Sequence, residues 1–98
     1  MPRLRWSQPA LADLSRLHAF LADHSPDAAR RAIRTIREGV KNLAKFPEMG
    51  RPTERLEPEF REWVIEFGQG AYVALYRVDR KEVMILAVRH GREAGFSD

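Results

Sequence analysis

Cysteine is absent from the 98 residues of the chain. That excludes disulfides and thiolate metal sites, and it fits a protein of a reducing compartment. Long apolar runs are missing too: none approaches the roughly 20 residues that a helical membrane span requires. The opening Met1-Pro2-Arg3-Leu4-Arg5-Trp6 lacks the apolar stretch of a signal peptide, so a cytoplasmic location is expected. His18 and His24 have no second histidine or acid at ligand spacing, and no metal is expected. No Gly-x-Gly-x-x-Gly, Walker or Gly-x-Ser-x-Gly pattern occurs, so neither a nucleotide cofactor nor a serine nucleophile is indicated, and no cofactor is expected. Repeats, low-complexity stretches and linkers are also lacking, which leaves residues 1–98 as one domain.

What is present is globular in balance, with 44% apolar and 32% charged residues. The net charge of +3 is unevenly split, +4 over residues 1–50 and −1 over residues 51–98. Most of the cations are arginines, which suit bidentate pairing with carboxylate or phosphate. An excess this small permits an acidic partner, and no direct sequence-specific nucleic-acid binding is expected.

The first half has helical periodicity. After a short extended stretch, Arg3 to Trp6, Ser7 stands where an N-cap belongs and Pro9 is tolerated in the first turn. Leu11, Leu14, Leu17 or His18, and Leu21 then form one apolar stripe. Ser25-Pro26-Asp27 repeats the start signal, and a second stripe runs through Ala29, Ala32, Ile33, Ile36, Val40, Leu43 and Ala44. Pro47 and Gly50 close that helix. The second half changes period: Trp63, Ile65 and Phe67 alternate, Gly68-Gln69-Gly70 is turn chemistry, Ala71 to Val78 is rich in β-branched and aromatic residues, and Asp79 to Glu82 is a polar turn. Val83 to Arg89 is nearly all apolar, as an interior strand would be. The order β-α-α-β-β-β predicts an α+β fold, a helical hairpin packed on a small antiparallel sheet.

Several short motifs sharpen this order. They are Trp6-Ser7-x-x-Ala10-x-x-Asp13-Leu14, Ser25-Pro26-x-Ala28-Ala29, Phe46-Pro47-Glu48-Met49-Gly50-Arg51, an arginine at Arg61, Tyr72-x-x-x-Tyr76-Arg77, and the ending Val88-Arg89-His90-Gly91-Arg92. In this order and at these separations the chain resembles ParE-like toxins of the ParE/RelE superfamily, over roughly residues 4–93. The resemblance implies the toxic half of a type II toxin–antitoxin pair, bound by a ParD-like antitoxin.

The superfamily divides by chemistry. RelE-like members cut messenger RNA on the ribosome, which requires a base, an acid and cations for the developing phosphorane charge. Here the matching positions are poorly stocked. Arg61 has Trp63 as its neighbour two residues on, the middle strand reads Tyr72-Val73 where an arginine is expected, and no tyrosine follows Gly91. The resemblance therefore implies the ParE branch, a binding-type inhibitor whose target is DNA gyrase, with no catalytic residue. Two alternatives stay open: a ribosome-dependent ribonuclease using Arg61, His90 and Arg92, and a decayed, non-toxic member that still binds an antitoxin.

Candidate contact residues follow. Trp63, Arg77, Arg89 and Arg92 are read as target-binding, the last three because arginines near strand ends repel unless something anionic offsets them. Arg30, Arg34, Arg37 and Lys41 fall near one line of the second helix and are read as antitoxin-binding, against the plainer reading of a solvated face. For Tyr72 and Tyr76, four apart on one strand face, packing is the expected role.

Overall fold

Both helices begin at a serine. In a computed structural model describing residues 2–53 and 57–93, Ser7 Oγ accepts the amide of Ala10 at 3.2 Å and Ser25 Oγ that of Ala28 at 3.1 Å. Each bond satisfies an amide that the first helical turn leaves without an intrahelical partner. The elements are β1 (Arg3–Trp6), α1 (Gln8–Ala22), α2 (Pro26–Lys45), β2 (Arg51–Pro52), β3 (Phe60–Phe67), β4 (Gly70–Val78), β5 (Glu82–His90) and a 3₁₀ turn at Gly91–Glu93. The helical hairpin on a sheet holds as expected. The sheet itself is mixed: its order is β1-β5-β4-β3-β2, and β1 lies parallel to β5. Short turns make β3, β4 and β5 antiparallel neighbours, whereas the whole chain lies between β1 and β5, so nothing forces those two to be antiparallel. The two-residue β2 at the far edge, with Arg51 opposite Glu62 and Pro52 opposite Arg61, carries no strand periodicity that a sequence reading could find.

One face of the sheet carries the core. Ala10, Leu14 and Leu17 of α1 and Ala32, Ile36, Val40 and Leu43 of α2 bury against Ile65, Tyr72, Ala74, Tyr76, Val83, Ile85 and Val88. The alternation of a strand then sends Leu75, Arg77 and Arg89 to the opposite, helix-free face. At Gly39, α2 approaches β3 so closely that a Cβ would lie 2.9–3.1 Å from the Ile65 side chain. Among the described residues no helix is long and apolar enough to cross a membrane.

A bulge on β5 ties the helices to the sheet. Tyr76 pairs with Ile85 and Leu75 with Ala87, so Leu86 is the extra residue. A bulge leaves ladder groups without strand partners. Here Ser7 Oγ donates to the Leu86 carbonyl at 3.3 Å, and Val88 N–H donates to Asp13 Oδ2 at 2.9 Å. The serine and aspartate of the opening motif are thus explained locally: the first caps α1 and steadies the bulge, and the second reaches from α1 into the ladder. Replacing Asp13 with alanine should leave the Val88 amide unsatisfied and cost about 1–3 kcal/mol of unfolding free energy. Denaturant titration of Asp13→Ala against the parent chain checks this, and an unchanged midpoint would contradict the assigned role.

Candidate functional site

The cations of α2 line up by helical geometry. Arg30, Arg34, Arg37 and Lys41 recur at spacings of four, three and four, which keeps them on one stripe, and all are exposed. Lys45 in the last turn continues it. Asp27 pairs with Arg30 at 3.6 Å and with Arg31 at 3.0 Å. Among the described residues, Arg34, Arg37, Lys41 and Lys45 make no ion pair. Beside the stripe, between the two helices, lies a groove of about 390 Å³ lined by Leu11, Leu14, Ser15, His18, Ile33 and Arg37. It has an apolar floor and a basic rim, suited to an acidic amphipathic segment.

Below α2 the loop of residues 46–50 is clamped to the sheet by two side chains. The fully buried Tyr76 hydroxyl donates to the Pro47 carbonyl at 2.7 Å and accepts the Gly50 amide at 2.9 Å. The Arg61 guanidinium, opposite Tyr76 on β3, donates to the Gly50 carbonyl at 2.7 Å and to the Glu48 carbonyl at 3.3 Å. Gly50 is required sterically, because a Cβ there would lie 2.5 Å from both the Glu62 carbonyl oxygen and the Tyr76 hydroxyl. Burial raises the Tyr76 pKa above its ordinary value, opposed in part by the Gly50 hydrogen bond and the Arg61 charge. The phenol therefore stays neutral as a two-way hydrogen-bonding strut. Outside the clamp, Phe46 and Met49 stand exposed around a cleft of about 730 Å³ completed by Lys45, Pro47, Glu48 and Val78.

The four residues expected to share a target surface do not lie together. Trp63 is on the helix side of the sheet, where its indole N–H donates to the Gly39 carbonyl at 3.2 Å. Arg77 and Arg89 both face away from the helices, yet β4 and β5 run antiparallel, so their C-terminal ends are at opposite ends of the sheet. Arg89 pairs with Val73, four residues from Arg77, which separates the two backbones by about 14 Å. The clustering by sequence position fails for that reason between Arg77 and Arg89.

Arg61, His90 and Arg92 are not gathered either. Arg61 pairs with Tyr76, and His90 with Tyr72, two strands across and four residues along, about 16 Å apart by strand spacings. His90 stacks edge-on to Tyr72 with ring centroids 5.4 Å apart, and its Nδ1 accepts the Arg92 amide at 3.1 Å. No group of three metal-ligating side chains occurs among the described residues.

Sequence reasoning missed Phe46 and Met49, as well as the hydroxyl role of Tyr76. The signal was the Pro47-x-x-Gly50 spacing, which places a carbonyl and an amide where one buried phenol can bond both. Tyr76→Phe should lower stability by about 1–3 kcal/mol, because two buried backbone groups lose their partner. The raised folded pKa means that the neutral phenol's contribution is complete below the ordinary value of 10.0 and is lost as pH climbs through the higher folded value. Thermal melts across alkaline pH should therefore show a decline in the parent chain that is reduced in Tyr76→Phe.

Comparison with known proteins accords with this geometry. Residues 4–95 match the family described as ParE toxin of type II toxin-antitoxin system, parDE. Toxin RelE3 of Caulobacter vibrioides is 37% identical over 84 residues, 86% of this chain and 88% of that protein. The putative toxin Y4kP of Sinorhizobium fredii is 36% identical over 91 residues, 93% of this chain and 90% of that protein. Among solved structures, a chain of the chromosomal ParDE toxin–antitoxin system from P. aeruginosa superposes with a TM-score of 0.77 at 28% identity, covering 92% of this chain and 96% of that one. A chain of the RelBE2 toxin–antitoxin complex from Mycobacterium tuberculosis gives 0.64 at 26% identity, covering 92% and 99%. The chain belongs to the ParE toxin family of type II toxin–antitoxin systems, within the ParE/RelE superfamily.

Proposed function

We propose that this toxin acts by binding an essential protein target rather than by cutting RNA, and that a ParD-like antitoxin neutralises it. The observation that carries the first part is the separation of Arg61 from His90. Metal-free RNA cleavage needs a base and an acid within hydrogen-bond reach of one phosphate, with cations beside it. The backbones of Arg61 and His90 are about 16 Å apart by strand spacing, and Arg61 is committed to two loop carbonyls. The protic group opposite Arg61, Tyr76, is buried and held neutral. DNA gyrase is the target that the ParE resemblance favours.

The antitoxin reading is supported by the α2 stripe and the adjoining groove. Arg34, Arg37, Lys41 and Lys45, which make no ion pair among the described residues, lie beside an apolar floor and suit a disordered, acidic amphipathic segment that orders as it binds. The solved relatives from P. aeruginosa and M. tuberculosis are described as toxin–antitoxin systems.

Expression from a tightly controlled promoter in a bacterium, with growth, DNA-damage induction and messenger integrity followed together, tests the target. The expected outcome is arrest with filamentous cells, DNA-damage induction and intact messenger RNA, unchanged in kind when Arg61 and His90 are both replaced by alanine in protein that still folds. Rapid messenger cleavage that the double replacement abolishes would overturn the reading in favour of a ribonuclease. Absence of arrest from folded protein would mark instead a non-toxic, antitoxin-binding member.

A further inference from the structure

The cationic stripe of α2 does not end in open solvent. Its last member, Lys45, is also one wall of the cleft formed with Phe46, Pro47, Glu48, Met49 and Val78. Phe46 is 60% exposed and Met49 38% exposed. A single exposed apolar side chain is ordinary. Here two share one cleft, and the backbone that carries them is fixed from beneath by the four hydrogen bonds of Tyr76 and Arg61. Within the loop, the Met49 amide also donates to the Phe46 carbonyl at 3.0 Å. A clamp of this kind does not bury Phe46 or Met49. It holds them in place, and a surface ordered before binding loses less entropy when a partner arrives.

Charge complementarity with continuity of surface identifies the occupant. From Arg30 to Lys45 the stripe runs about 22 Å at the helical rise, and at its end the surface passes into a largely apolar cleft whose one acid among the described residues is Glu48. We propose that the cleft beside Phe46 and Met49 is the anchor site for one bulky apolar side chain of the antitoxin, placed directly beyond an acidic run that covers the α2 stripe. This rests on the reading that an antitoxin holds the chain, and it adds the order of chemistry in the bound segment. An extended peptide covers 22 Å in about seven residues and a helical one in about fifteen, which sets the distance between the first acid and the anchor. The acids steer and register the segment, and the anchor slows its departure.

The test measures the affinity of a purified cognate antitoxin for the full chain and its variants at two salt concentrations. Phe46→Ser with Met49→Ser should raise Kd about 30-fold or more, mainly through faster dissociation and with the salt dependence preserved. Arg34→Glu with Lys41→Glu should also weaken binding, but mainly through slower association, and should flatten the salt dependence. Tyr76→Phe, checked as folded, should weaken binding while leaving every surface side chain in place. Phe20→Ser removes an aromatic that is 67% exposed on α1, away from the stripe, and should change nothing. Equal affinity of the parent and the Phe46–Met49 variant would overturn the anchor while leaving the antitoxin reading intact. A variant that altered only self-association of the chain would assign the cleft to a second copy and overturn it too. Failure of the parent chain to bind at all would remove both readings.

Discussion

The Tyr76 hydroxyl is cut off from water by the core around it, and a buried hydroxyl without partners costs more than most single contacts return. It is satisfied by two backbone groups three residues apart, the Pro47 carbonyl and the Gly50 amide. That requirement fixes how α2 hands over to the sheet. The loop must turn at Pro47, must come back at Gly50 without a side chain in the way, and must then enter β2 beside β3. Arg61 reinforces the same path from the neighbouring strand. The Pro-x-x-Gly-Arg motif is the sequence image of this geometry, with Arg51 continuing it as an ion pair to Glu62 at 3.2 Å.

A second constraint acts at the other helix. The β5 bulge disrupts the ladder opposite Leu75 and Tyr76, and α1 supplies side chains to repair it. Motif residues at both ends of the chain therefore serve one architectural purpose, holding the helical hairpin on a single face of a small sheet. The hairpin's outer surface then carries the cations, and the far face of the sheet carries Arg77 and Arg89 at opposite ends. Arg61 and His90 are dispersed by the same geometry, two strands across and four residues along, and that dispersal is what the proposed binding role rests on.

Helix positions, caps, turns and the alternation of β3 were legible because each depends on residues close in sequence. Ser7 and Ser25 act where a cap pattern puts them, and the α2 stripe follows from a period of 3.6 alone. The resemblance to ParE-like toxins was legible for a related reason: it is carried by short motifs read in order along the chain.

Pairing across the chain was not legible. Nothing local in Arg3 to Trp6 states that it joins β5 in parallel, since that contact spans nearly the whole sequence. Arginines at the ends of successive strands looked adjacent, and antiparallel pairing set Arg77 and Arg89 at opposite ends of the sheet. Trp63 reads as target-binding from the sequence, and only the fold shows that its indole N–H is bonded to the Gly39 carbonyl of α2. The sequence by itself determined the two helices, the strands other than the two-residue β2, the family and the cationic helix face, because periodicity and motif order are properties of neighbouring residues. Only the tertiary structure decided which polar groups are consumed inside the fold and which stay available, because that depends on hydrogen-bond partners brought together from distant parts of the chain.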